Sequence, residues 1–408
     1  MKTFIMKAAV AMLRGAAAFI GVFAWRRKGV ALISCQGDEP SQDILDLAAA
    51  LRGMPQAPRV RVLAGKMDRS AGGAFRFAGK MLSMLRAAAG ARVVVVDAYC
   101  PAVSIPEKRP GQKVVQIWHA PEAIKKFSLQ IVDTEAGYSS HVAELLCMHR
   151  GYDYILCPSD ATRPFFEEAF GYAEEAFVKH GLPSLDRIGA LRAGRDAFKN
   201  RKGVRAADDG RPCDGDGGRP LTVVYAPTFR DGTWVDAEGL VRAFERAAAE
   251  PNAFGEVPPA FELVLKLHPL DAARPEIVAD TETLLIEWYA KADIVITDYS
   301  GVAVEAAAAG VASYYYVYDI NNYKMRRGLN VDLHDEAVGK YAFIDADELV
   351  AQMMQDFADV AAPAYDYEAL EAFASKYLEV PLEGNTQRLA AFIARLHHPH
   401  GQPQYVVE

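Results

Sequence analysis

From Val30 onward, short β-branched runs alternate with longer stretches of helical periodicity. Residues 30–35 precede a helix over 41–52, residues 60–63 a long helical stretch ending near Ala89, and residues 92–97 a loop. Residues 113–118 lead through His119 to a further helix expected after Pro121, and residues 153–157 repeat the arrangement. Such alternation is the signature of a parallel sheet with helices on both faces. It predicts a Rossmann-like domain over residues 29–182.

The rhythm breaks at residues 205–220, where DDGRPCDGDGG reads as a surface loop or insertion. It restarts with a strand over 221–225, a helix near 240–249 and a strand over 261–267. A second Rossmann-like domain is therefore expected over 183–408, closed by helices after Asp345. Within it, residues 286–319 read as strand, turn, helix, strand: the uncharged run Ile294-Val295-Ile296, the polar turn Thr297-Asp298-Tyr299-Ser300-Gly301, then an alanine-rich crossover helix. Ligands of such sheets bind beyond the carboxyl ends of the strands. Ser300 and Gly301 fall at that edge, at a helix start whose backbone N–H groups favour phosphate; a plain capping role for Ser300 stands beside this reading.

Residues 1–28 stand apart. Lys7 and Arg14 share one helical face, and the apolar or small residues 16–25 lead into Arg26-Arg27-Lys28. The apolar stretch is too short to span a bilayer, and no small-residue cleavage pattern follows it, which argues against secretion. Two readings stand: a helix lying at the cytoplasmic face of the membrane with its basic cluster toward anionic lipid, or a helix docked on the first domain.

Composition narrows the function. The 408 residues, 51% hydrophobic and 24% charged, suit a folded protein of two domains. A net charge of −8 speaks against general nucleic-acid binding, which rests on a basic surface. The five cysteines form no CxxC pair, so neither a disulfide framework nor a structural zinc site is expected. Asp214-Gly215-Asp216 superficially matches an Asp-x-Asp metal motif, but no strand is at hand to hold the two carboxylates, so no metal and no cofactor are expected.

Four short motifs end strand-like runs: Trp118-His119, Ala226-Pro227-Thr228-Phe229-Arg230, Lys266-Leu267-His268-Pro269 and Thr297-Asp298-Tyr299-Ser300-Gly301. Together they offer a general base, a fixed cation, a second imidazole and a hydroxyl at a helix start, a set suited to phosphate chemistry. A GxxxxGK[ST] loop, a GxGxxG fingerprint, an HExxH pair and a GxSxG elbow are all missing from the sequence, which removes support for ATPase, dehydrogenase, metalloprotease and esterase chemistry.

The strings VVQIWHA, KKF, YDYILCPSD, FFEEAFGY, VVYAPTFRD, LKLHP, ADIVITDYSGVAVEAAAAG and YDINNYKMRRG, in this order, resemble the CDP-glycerol glycerophosphotransferase family of teichoic-acid synthesis. The similarity covers roughly residues 114–332. It implies an α/β architecture of GT-B type, two Rossmann-like domains facing across a cleft, with an acceptor held by the first and a CDP-activated donor by the second. By the same resemblance His119 is the general base, His268 and Arg230 hold the donor pyrophosphate, and Thr228, Ser300 and Gly301 bind phosphate beside them. Glu305 stands on the nucleotide or ribose side. Three positions depart from the family pattern: Gly301 where a second serine is usual, Glu305 where Asp is frequent, and Ala120 where Gly is frequent.

The implied reaction moves glycerol-phosphate, or a related polyol-phosphate, from CDP-glycerol or another CDP-polyol to a hydroxyl of a lipid-linked acceptor, with release of CMP. The implied partners are the donor, the lipid-linked acceptor and the cytoplasmic membrane surface, to which the protein is peripheral. A glycosyltransferase using a nucleotide sugar would share the fold. A non-catalytic membrane-bound scaffold would keep it without the chemistry.

Overall fold

The computed structural model describes residues 2–23, 28–66, 71–199, 220–230, 234–249, 260–268, 278–360 and 362–398. The first sheet comprises β1 (Val30–Ser34), β2 (Val60–Ala64), β3 (Val93–Val96), β4 (Lys113–Gln116), β5 (Tyr154–Cys157) and β6 (Phe177–Lys179), all parallel, in the order β2-β1-β3-β4-β5-β6. The second comprises β7 (Leu221–Tyr225), β8 (Phe261–Leu265), β9 (Ile294–Thr297), β10 (Ala312–Tyr316) and β11 (Ala342–Phe343), also parallel, in the order β11-β10-β9-β7-β8. Valine-rich β3 is wholly buried, as a central strand covered on both faces must be. The edge strands β6 and β11 escaped the sequence reading because three and two residues are too few to show a period.

In each sheet the strand order reverses once, between β1 and β3 in the first and between β7 and β9 in the second. Beyond such a reversal the flanking loops part and leave a crevice at the carboxyl ends of the strands. Ser34 ends β1 and Asp97 follows β3; Ala226 and Asp298 follow β7 and β9.

The chain divides into two compact units whose boundaries differ from the expected ones. Residues 1–121, 126–187 and 379–408 form the first; residues 122–125 and 188–378 form the second. The helix Asn385–His397 was expected to close the second domain, yet it belongs to the first. Its stripe Leu389, Ala390 and Ile393 is buried with Ile44, Leu47, Leu51, Val93 and Val95. Asp186 receives the helix start, accepting from the Asn385 and Thr386 N–H groups at 2.7 and 2.9 Å. The helix expected after Pro121 does not form. Instead, Ile124 O accepts from the N–H groups of Asn330 and Val331, and Lys125 bridges antiparallel to Leu329, so this segment joins the second unit as extended chain.

At the N-terminus a helix spans Lys2–Phe23. Its stretch Met6–Phe23 is long and apolar enough, by length and composition, to cross a membrane, so the expectation of a stretch too short to span is corrected. The helix extends well before residue 16, and within Met6–Phe23 only Lys7 and Arg14 are charged. Val10 and Leu13 pack with Ile105, Cys147, Leu145 and Leu146, while Phe4, Met12, Phe19, Val22 and Phe23 are exposed. At 100° per residue those five fall within an arc of about 100°, opposite the packed side. Arg14 turns toward the protein and donates to Ile105 O and Cys147 Sγ, both at 3.4 Å.

Candidate functional site

In the first unit the site is built around Trp118 and His119, directly past β4. Trp118 has φ +58°, a conformation costly for a bulky side chain. It is held there by Gln116, whose Oε1 accepts from Trp118 N–H at 2.9 Å, and by ring packing against Phe127 and Phe170. The tight turn presents His119 to solvent, its ring 4.1 Å from that of Trp118. His119 Nδ1 lies 3.2 Å from Asp97 O. A carbonyl oxygen only accepts, so Nδ1 carries the proton in this contact and Nε2 carries the lone pair. That is the tautomer of a base whose Nε2 takes a proton.

Asp97 was not singled out from the sequence, although it ends the run VVVVD. Its buried carboxylate accepts from Ser34 Oγ, Cys35 N–H, Gln36 Nε2 and Ser41 Oγ at 2.6 to 3.0 Å. Four donors thus anchor the residue whose carbonyl orients His119, and the anchor lies at the strand-order reversal.

In the second unit the strand-order reversal carries a buried charge cluster. Arg230, 4% exposed, donates from Nε to Asp319 at 2.8 Å and from Nη2 to Asp298 and Asp319 at 2.8 and 3.0 Å, while Nη1 donates to Thr228 O at 2.7 Å. Its guanidinium also lies over the rings of Tyr323 and Tyr299 at 4.8 and 5.2 Å. Burial by itself would lower its pKa, but Asp298 and Asp319 hold it above the ordinary value. The side chain expected to grip donor pyrophosphate thus donates to two carboxylates and a backbone carbonyl. Thr228 is fixed by donating its N–H to Asp298 at 2.8 Å, and its Oγ1 is buried without a protein partner.

Gly301 stands against the end of the Glu122 side chain. A Cβ there would lie 2.0 Å from Glu122 Oε1. Glu122 is buried, its pKa pushed up to about 8 by desolvation and then by Glu305, so it is chiefly protonated at neutral pH. Glu305 accepts from the buried Tyr289 hydroxyl at 2.9 Å. Its carboxylate is thus drawn into this carboxyl pair, a placement that lends no support to the expected ribose contact. Lys125 lies beside the same groups; its pKa is lowered to about 8 by desolvation, then by Arg327, with Asp298 and Glu122 opposing. Lys125 and Arg327 are cations that sequence reasoning passed over. Both lay in quoted strings, KKF and KMRRG, but only folding brings residue 125 to the Asp298 turn.

Ser300 Oγ accepts from Val302 N–H at 3.4 Å, a weak cap of the seven-residue helix Val302–Ala308. His268 is exposed just beyond β8, its ring 4.7 Å from that of Phe229. Asp214 and Asp216, with the loop around them, lie outside the described residues, as do Arg26 and Arg27.

Two parallel sheets with alternating helices, each with one strand-order reversal, form an α/β fold of GT-B type. Over 98% of this chain and 97% of the other, the fold matches the wall teichoic acid polymerase TagF, in a form soaked with CDPG, at TM-score 0.67 and 16% identity. Residues 17–395 match the family described as CDP-Glycerol:Poly(glycerophosphate) glycerophosphotransferase, and the chain belongs to that family. It is 23% identical to the teichoic acid glycerol-phosphate primase of Bacillus subtilis, over 75% of this chain and 74% of that protein. With the teichoic acid ribitol-phosphate primase of Bacillus spizizenii it shares 25% identity over 90% of each.

Proposed function

We propose that the protein is a CMP-releasing transferase that moves glycerol-phosphate, or a related polyol-phosphate, from a CDP-polyol to a hydroxyl of a lipid-linked acceptor in teichoic-acid-like polymer synthesis. Family membership over nearly the whole chain supports the reaction class. The hydrogen bond from His119 Nδ1 to Asp97 O supports the base. The acceptor oxygen attacks the polyol-bearing phosphorus as its proton passes to His119 Nε2, and the bond from phosphorus to the CMP oxygen breaks.

Charge spreading onto the phosphoryl oxygens and the leaving CMP needs neutralising donors. We assign these to Lys125, Arg327 and His268, with the Thr228 hydroxyl, Ser300 and the Gly301 backbone as neutral contacts. Arg230 acts through Thr228 and Asp298, as a positioning residue. A protonated Glu122 beside Gly301 keeps negative charge away from the phosphates. The exposed apolar arc of the N-terminal helix, bordered by Lys7, supports peripheral attachment to the cytoplasmic face of the membrane.

The test is incubation with a panel of CDP-polyols and nucleotide sugars together with a lipid-linked acceptor. CMP release dependent on acceptor and on a CDP-polyol is expected. Nucleoside diphosphate release from a nucleotide sugar would replace this reading with glycosyl transfer.

A further inference from the structure

Behind the turn that carries His119, a chain of hydrogen bonds runs into the interior of the first unit. The buried Gln116 is its centre: Oε1 accepts from Trp118 N–H at 2.9 Å, and Nε2 donates to Tyr152 Oη at 3.0 Å and to Ala98 O at 3.3 Å. The amide fits only one way round, because a backbone N–H needs an acceptor and a backbone carbonyl needs a donor. Tyr152 Oη accepts from Gln116 and directs its own proton to His149 Nδ1, 3.1 Å away. His149 suits that place: it is buried, and desolvation lowers its pKa to about 3, so the ring is neutral and offers a lone pair. Every group in the chain therefore donates inward, Trp118 to Gln116, Gln116 to Tyr152 and Tyr152 to His149.

The two ends of the chain meet again through their rings. His149 and Trp118 lie edge to face with centroids 6.2 Å apart, and both pack on Phe170, at 5.1 and 5.3 Å. Both also hold left-handed backbone, φ +57° for His149 and +58° for Trp118, a region that bulky side chains avoid. Closed into one loop of hydrogen bonds and rings, the two conformations hold each other in place. Gln116 ties residue 98 to residue 118, and the neighbours of these two, Asp97 and His119, make the contact that orients the imidazole.

We propose that Gln116 and Tyr152, with His149 as the end of their chain, are positioning residues for the general base: by fixing the Trp118 turn they hold His119 in the Nδ1–H tautomer whose Nε2 takes the proton. The proposal rests on the transfer reading above and adds to it the interior network that sets the geometry of the base. A histidine's tautomer follows the bond that its other nitrogen makes, so a turn that relaxes away from Asp97 O gives up the preference for Nδ1–H.

The test uses the full chain with Tyr152→Phe, which removes one hydroxyl and keeps the ring, Gln116→Met, which keeps the volume and removes the bonds, and the double variant. Turnover is measured with CDP-glycerol and a lipid-linked acceptor, and the His119 tautomer by imidazole ¹⁵N shifts, assigned with His119→Gln. Misplacing a reacting group by about 1 Å costs about a hundredfold, the fall in kcat expected for Gln116→Met, with about tenfold for Tyr152→Phe. The Kd for CDP-glycerol should stay unchanged, and the His119 signal should move from Nδ1–H toward Nε2–H in both. Because the residues act in series, the double variant should be no slower than Gln116→Met. Additive losses, an unshifted tautomer, or a raised Kd with unchanged kcat each overturn the proposal and leave the transfer reading intact. Should no CDP-polyol be turned over, the transfer reading falls, and the tautomer alone decides for or against the network. If Gln116→Met melts below the assay temperature, Tyr152→Phe carries the test.

Discussion

The two strand-order reversals solve opposite problems. At the first, a buried carboxylate is saturated by four neutral donors and the nearby exposed histidine is oriented through a backbone carbonyl. At the second, the buried Arg230 bridges the carboxylates of Asp298 and Asp319, which leaves one negative charge in excess. The first arrangement suits a group that must gain and lose a proton; the second suits a rigid floor under a charged ligand. A residue type by itself does not tell these apart: Arg230 is buried among carboxylates, whereas Lys125 is half-buried.

The sharpest break of this contrast is His119→Ala. A general base contributes about 10²–10⁴-fold, so turnover should fall by that factor while calorimetry shows an unchanged Kd for CDP-glycerol. Equal loss of donor binding would move His119 to the donor side.

Arg230→Ala should act on stability first. It leaves the buried Asp298 and the partly exposed Asp319 without their cation, which costs about 3–5 kcal/mol, readable in urea denaturation. Arg230→Lys should recover only part, since an ammonium lacks the planar fork that serves both carboxylates and Thr228 O. A variant of wild-type stability that has lost only donor affinity would restore Arg230 as a direct ligand.

Lys125→Ala should weaken the donor by about tenfold to a hundredfold, the worth of a charge-assisted hydrogen bond of about 1–3 kcal/mol. Because desolvation lowers its pKa to about 8, wild-type affinity should decline as pH rises through that value, and the decline should be absent in the variant.

The smallest effect is that of Glu122→Gln. Glu122 has a folded pKa near 8, above its unfolded value, so the folded state holds the extra proton between about pH 4.5 and 8 and stability falls as pH rises across that window. The amide removes this slope, and the melting temperature of the variant should exceed that of wild type above pH 8 and match it near pH 5. Gly301→Ala, by contrast, should destabilise at every pH, since its methyl group meets the Glu122 carboxyl.

The strand cores and the loop positions of His119, His268 and Ser300 were legible because β-branched runs and polar turns are local signals. Arg230 was visible as a residue but not as a bridge, since its partners Asp298 and Asp319 lie 68 and 89 residues away. Lys125 was hidden for the same reason: residues after Pro121 carry helical character, and only the tertiary pairing with Leu329 draws them out as extended chain. Asp97 is an ordinary strand-ending acid until the fold gathers Ser34, Gln36 and Ser41 around it. The closing helix misled because sequence order suggests packing on the preceding domain, while its stripe Leu389 and Ile393 fits the first sheet.

That interleaving has a practical corollary for anyone who wishes to dissect the molecule. With residues 122–125 and 379–408 each lodged in the unit that the neighbouring sequence does not build, no single cut yields two whole halves. A fragment ending at residue 187 would lack the helix that covers Ile44 and Leu51, and one beginning at 188 would lack the strand-like visitor beside Leu329. Halves meant to fold alone would have to be rewired, with residues 379–398 spliced behind Arg187 and the Glu122–Lys125 peptide supplied in trans.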